Sequence, residues 1–127
     1  MEQQTLLETL GIEIIEVQKG KIVASMPVDG RTRQPFGLLH GGASVALAET
    51  VASMGAYELV EKQTQAVVGL EINANHVRSK REGVVTATGT VLHQGRKTMV
   101  WDIKITDEEG KLISVSRCTI AVIELNQ

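Results

Sequence analysis

Between Arg33 and Glu58 the chain carries one charged side chain, Glu49, set in the middle of an alanine-rich run. Ala43, Ala46, Ala48, Ala52 and Ala56 all fall there, and alanine is the best helix former. The run predicts one long helix over about 42–60. Ala46, Thr50, Ser53 and Tyr57 recur at steps of three and four, and so do Val45, Glu49 and Ala52. At least two faces of this helix are therefore nearly free of charge. A helix that is apolar almost all round is buried rather than laid on a surface, so the rest of the chain has to cover it.

The rest reads mainly as strands. A short helix over 5–10 is stopped by Gly11. Residues 12–17 and 21–26 are rich in β-branched side chains and are separated by Gln18, Lys19 and Gly20, a spacing that predicts a tight hairpin. Residues 27–35 hold Pro27, Gly30 and Pro35 and read as a loop. After the helix come four strand-like runs over 66–77, 83–93, 98–106 and 111–123, with short links at 79–82, 94–97 and 107–110. Links this short predict antiparallel neighbours, because a parallel crossover needs a dozen residues or more. The order is hairpin, long helix, antiparallel meander. The economical packing is a single α+β domain over 1–127 in which the sheet wraps around the helix.

Phe36, Tyr57 and Trp101 are the only aromatic residues, so the core is built from Val, Ile, Leu and Ala. Small side chains bury less area each, and an oligomer compensates by burying more between subunits. A net charge of −2 provides no field for nucleic acid. The single cysteine, Cys118, lies in a β-branched run and reads as a small buried hydrophobe. No apolar stretch approaches a membrane span, and the first ten residues lack a basic leader region, so a cytoplasmic protein is expected. The three histidines show no metal-ligand spacing, and no metal is expected.

The helix start and Glu49 carry the chemistry. Gly41 and Gly42 leave the first backbone N–H groups open, at the positive end of the helix dipole, where they can donate to a developing oxyanion. The plainer reading is a tight helix start that His40 caps. A carboxylate in a buried helix is costly unless it is paired or functional, and a desolvated one is a competent general base. The plainer reading of Glu49 is an ion pair with Arg78 or Arg117. Ser53, four residues on, can orient a water or substrate, or can bond back within the helix. Gly41 and Glu49 are eight positions apart, about 12 Å along a helix. One carbonyl carbon cannot sit beside both in the same subunit. If both take part, the helix start comes from one subunit and Glu49 from another, as two antiparallel helices across a two-fold axis would arrange.

The run from Gln34 to Glu49, QPFGLLHGGASVALAE, resembles the hotdog-fold thioesterases of the PaaI-like group. Within that group it is similar to the bacterial 1,4-dihydroxy-2-naphthoyl-CoA hydrolases of menaquinone biosynthesis. The segments VGLEINANHVRS (68–79) and MPVD (26–29) resemble the same subgroup, and the likeness extends over about residues 10–124. The resemblance implies an antiparallel sheet wrapped around one long helix, homodimers with shared active sites, and their pairing into homotetramers. It implies that Glu49 is nucleophile or general base and that the Gly41 amide polarises the thioester carbonyl. Gln34 and His40 would orient that carbonyl, and Ser53 would be a helper hydroxyl. Coenzyme A, part of the substrate rather than a cofactor, would be held at two places. One is His76, Arg78 and Ser79, with Gly69 along the pantetheine path; the other is the turn of His93, Gly95, Arg96, Lys97 and Thr98. The basic residues in both segments suit phosphates. Small apolar residues, with Met54, Tyr57 and Phe36, would line the acyl pocket.

The expected activity is hydrolysis of an aromatic or related acyl-CoA. Two rivals differ in class. A non-catalytic acyl-CoA-binding hotdog module has no need of Glu49. A hotdog dehydratase or hydratase pairs a catalytic histidine with a carboxylate at the β-carbon, whereas His40 is tied to the glycine pair at the helix start.

Overall fold

The alanine-rich run forms one long helix, α2 (Gly41–Tyr57), in a computed structural model that describes residues 4–125. It is preceded by α1 (Leu6–Leu10), β1 (Glu13–Gln18) and β2 (Lys21–Val28). It is followed by β3 (Gln65–His76), β4 (Gly83–Gln94), β5 (Thr98–Thr106) and β6 (Leu112–Glu124). Each expected element exists, with ends that coincide or are displaced by at most three residues. Helix α2 starts a residue early because His40 caps it, and it stops at Tyr57, short of Val60.

The strands form one antiparallel sheet in the order β1-β2-β4-β5-β6-β3. This corrects the expected meander. β3 is not beside β4 but at the far edge, paired with β6, while β4 pairs with β2. Link length misled the reading. Three strand spacings amount to about 14 Å, and the six residues 77–82 reach about 20 Å when extended. The link can therefore cross β5 and β6 instead of turning back at once. A second correction concerns Pro27 and Val28, expected in a loop but paired in β2 with Val84 and Gly83. The last β1 partner is Ser25, so β2 is locally an edge there, where a missing N–H costs no ladder bond.

Helix α2 packs on β2 through β6, which curl around it. The inward residues follow the period of two: Ile22, Ala24, Met26 and Val28 on β2, and Met99, Trp101, Ile103 and Ile105 on β5. Trp101 is the one large aromatic in the core, and glycines make its room. A Cβ on Gly55 would overlap the indole ring. Gly55→Ala is expected to destabilise the protein by about 1–3 kcal/mol, although Ala gains roughly 1 kcal/mol over Gly in a helix interior. The check is a lower urea midpoint at unchanged slope.

Only one side of α2 is buried by its own chain, which narrows the expectation of burial all round. Ala43, Ser44, Leu47, Ala48, Val51, Ala52, Gly55 and Ala56 are covered. Val45, Ala46, Glu49, Thr50, Ser53 and Met54 remain half-buried. α1 is too short to hide them. It is held at its start by the Glu8 carboxylate, which accepts from the Thr5 N–H (2.6 Å) and hydroxyl (2.7 Å). It ends at Gly11, whose φ of 75° suits glycine.

Candidate active site

The loop before α2 is pinned from both sides. The buried Thr32 hydroxyl donates to the Pro27 carbonyl (2.8 Å), and the Thr32 carbonyl accepts the His40 N–H (2.8 Å). The Leu39 N–H donates to the carbonyl of Lys80 (2.7 Å) in the link 77–82. The Gln34 side-chain oxygen accepts the N–H groups of Phe36 and Leu38, which leaves its NH₂ free to donate elsewhere. His40 then caps the helix. Its Nδ1 accepts the Gly42 N–H at 2.7 Å, so the proton of the neutral ring sits on Nε2. The N–H groups of Ala43 and Ser44 donate to the His40 carbonyl (3.0 and 3.2 Å). Of the first four amides of α2, only that of Gly41 has no acceptor among the described residues.

Gly41 opens onto a cavity of about 350 Å³ lined in part by Gln34, Ser44, His76, Arg78 and Ser79. The His76 imidazole stands against it; a Cβ on Gly41 would lie 2.9 Å from Nε2. The link bearing Arg78 and Ser79 is moored by Lys80, whose Nζ meets the Glu108 carboxylate at 2.6 Å. Glu108 also accepts the Val84 N–H (2.8 Å). Lys80 first, and then backbone donors, hold the Glu108 carboxyl down at about 2.

Glu49 faces a different cavity, about 420 Å³, with Leu6, Leu7, Ala46, Ser53 and Met54 on its walls. It forms no hydrogen bond or ion pair among the described residues. Neither structural partner materialises: Arg78 lines the Gly41 cavity, and Arg117 lies exposed on β6, opposite Asn73 and Asp102. The Thr50 hydroxyl donates back to the Ala46 carbonyl (2.7 Å), whereas the Ser53 hydroxyl makes no such bond. The Glu49 carboxylate rests on β3 at Gly69, where a Cβ would overlap Oε2.

A bulge makes this contact possible. Gly69 meets Glu49 and His76 meets Gly41, so both face α2 although they are seven residues apart. In a regular strand an odd separation puts two residues on opposite faces. The register shifts between Gly69 and Glu71, where Leu70 has no partner on β6, and the extra residue restores the match.

The two cavities share no lining residue, in keeping with the 12 Å estimate of helix spacing. His40 borders a third hollow, with Arg31 and Arg33, that shares the wall residues Leu6 and Ala46 with the Glu49 cavity. The β4–β5 turn lies near the other end of α2, where Gly95 and Arg96 border a hollow with Leu59, Val60 and Gln65. The Gly95 N–H donates to the Thr98 carbonyl (2.8 Å), and Arg96, Lys97 and Thr98 are exposed. Within one chain this turn, with His93, is thus apart from His76, Arg78 and Ser79. Phe36 is 85 % exposed, and Tyr57 lies beneath the Lys62 ammonium (4.9 Å), so neither borders the Glu49 cavity. Leu6 and Leu7 do, although nothing in their residue type beyond apolarity points there. Cys118 is buried as expected. Desolvation first, and the Glu49 and Glu71 charges next, push its thiol up to about 11, too high for a nucleophile.

Among the described residues no helix is long and apolar enough to cross a membrane. The Thioesterase superfamily matches residues 36–114. ComA2 of Bacillus subtilis is 61 % identical over 122 residues, 96 % of this chain and 97 % of its own. The 1,4-dihydroxy-2-naphthoyl-CoA hydrolase of Listeria monocytogenes is 57 % identical over 117 residues, 92 % of this chain and 94 % of its own. The crystal structure of a Haemophilus influenzae thioesterase superposes with a TM-score of 0.92 at 51 % identity, covering 97 % of this chain and 85 % of that one. The chain therefore belongs to the thioesterase superfamily, as a hotdog-fold enzyme that hydrolyses thioesters.

Proposed function

We propose that the substrate is an aromatic or related acyl-CoA and that each active site joins Glu49 of one subunit to the Gly41 helix start of another. 1,4-Dihydroxy-2-naphthoyl-CoA is the first candidate, since the Listeria relative carries that name. The observation that carries the reading is Glu49: a carboxylate without a partner among the described residues, on a nearly uncharged helix face, lining a mostly apolar cavity. A charge so placed is costly unless it acts.

The thioester carbonyl docks at Gly41, whose free N–H and the helix dipole stabilise the oxyanion. The Gln34 NH₂, on the same cavity, is a further donor, while His40, which borders the neighbouring hollow, holds the helix start in place as its cap. Glu49 attacks the carbonyl carbon, the tetrahedral adduct expels the CoA thiolate, and water hydrolyses the resulting mixed anhydride. Alternatively, Glu49 takes a proton from a water that attacks directly. Ser53, one turn from Glu49, orients that water. No metal or cofactor enters the scheme. His76, Arg78 and Ser79 take one part of the CoA, and the 93–98 turn takes another. An antiparallel pair of helices would unite the two parts, because it would bring the far end of one subunit to the helix start of its neighbour. A homodimer is the minimum assembly and a homotetramer the family pattern, in the cytoplasm.

Release of free CoA thiol, measured over a panel of acyl-CoA thioesters, tests the reading. Aromatic thioesters are expected to give the highest kcat/KM; absence of thiol release across the panel would leave a binding module. Leu6→Ala and Met54→Ala enlarge the cavity beside Glu49. They are expected to move kcat/KM about tenfold toward bulkier acyl groups, the size of effect a few methylenes have in an apolar pocket. CoA product inhibition should stay unchanged.

A further inference from the structure

We infer that Gly69 is a positioning residue for the Glu49 carboxylate, not only a stretch of strand along the pantetheine path. The inference rests on the reading of Glu49 as the catalytic carboxylate. Gly69 does not have the positive φ of Gly11, Gly20, Gly37, Gly83 or Gly110, so any L-residue could adopt its backbone. Its position is also largely exposed to solvent in the single chain, so the core does not demand a small residue. What a side chain lacks there is room, and the nearest atoms to an added Cβ all belong to one residue, Glu49: Oε2, then Cδ at 3.4 Å and Cγ at 3.9 Å. Of the other glycines without a positive φ, a Cβ would collide with Trp101 at Gly55, with Val51 at Gly89 and with a histidine ring at Gly41, Gly42 and Gly95; Gly69 alone of these meets a carboxylate. Gly69 is therefore a notch in β3 that fits a carboxylate.

The notch matters because nothing else fixes that carboxylate. Glu49 makes no hydrogen bond or ion pair among the described residues, and its side chain carries three rotatable bonds. The β3 backbone at Gly69 lies against the end of this side chain, and the bulge beginning there turns that surface toward α2. A methyl group at 69 displaces the carboxylate by about an ångström, and a displacement of that size costs about 10²-fold in rate.

Two double-mutant cycles test this. In Gly69→Ala, kcat is expected to fall about 100-fold with KM within about threefold. Shortening the acid should restore fit, so Gly69→Ala/Glu49→Asp is expected to exceed the product of the two single losses by about tenfold. Losses that simply multiply, or a rise in KM at unchanged kcat, would overturn the positioning role and return Gly69 to pantetheine contact. Stability gives a second readout. Gly69→Ala should raise Tm more in Glu49→Ala, where the added methyl meets empty space, than in the native background, where the end of Glu49 has to move aside. An equal change of Tm, or failure to fold, in both backgrounds would show that Gly69 serves the strand and not the acid. Full activity of Glu49→Gln alone would instead sink the reading of Glu49 itself, leaving the thermal cycle to judge the contact.

Discussion

Glu49→Gln is expected to lower kcat by at least about 10²-fold, the least that loss of a general base costs, and by more if Glu49 is the nucleophile. The same variant is expected to melt at or above the temperature of the native enzyme. Glu49 has no partner to lose among the described residues, and the helix face around it is nearly uncharged, so removing its charge strands no opposite charge. Activity and stability thus move in opposite directions, the mark of a residue kept for its chemistry. A structural ion pair would do the reverse, with stability falling by kilocalories when one partner is cut. Thermal melting and thiol-release assays on one preparation check both halves. An active Glu49→Gln would refute the assignment.

The second large effect concerns Gly41. Gly41→Pro removes the one free amide of the helix start while keeping a residue that suits the first helical turn. His40, at φ −71° and ψ 128°, already has the extended backbone that precedes proline. The expected loss is about 10²–10³-fold in kcat, that of one oxyanion donor. Gly41→Ala is the control: it makes the same contact with His76 but keeps the N–H, and should lose far less. Shared sites add a sharper consequence. When subunits of Glu49→Gln and Gly41→Pro, each inactive alone, are mixed and allowed to exchange, half the dimers are hybrids. Each hybrid has one site with both lesions and one with neither. About a quarter of native activity should return, by two-fold symmetry alone. If each site were built within one chain, every site would keep a lesion and nothing would return.

Much of this was legible in the sequence, and the reasons are specific. The helix was legible because five alanines and a single charge make a strong local pattern. The strands were legible because β-branched runs alternate with glycine-bearing turns. The distance between Gly41 and Glu49 followed from helix rise alone, and the structure places both on α2, each on its own cavity. Strand order was not legible, since the 77–82 link could turn back or cross, and only the packing of β3 on β6 decides. The open face of α2 was not legible either, because an alanine stripe reads the same whether its own sheet or another subunit covers it. Nor did the sequence tell His40 apart as a cap: a histidine beside two glycines can cap, bind or both, and only the 2.7 Å contact with the Gly42 N–H settles the first.

The bulge at Leu70 has a consequence for how this chain can vary. It acts as a phase shifter: upstream of it the odd-numbered residues Val67 and Gly69 look toward α2, and downstream the even-numbered Ile72, Ala74 and His76 do. Loss of Leu70 alone would cancel the shift and swing either the Glu49 notch or the His76 wall to the outer face. Single-residue insertions and deletions along β3 are thereby closed to drift, whereas side-chain replacements at Leu70 itself leave the phase untouched. Length, more than side-chain identity, is what this edge strand has to preserve.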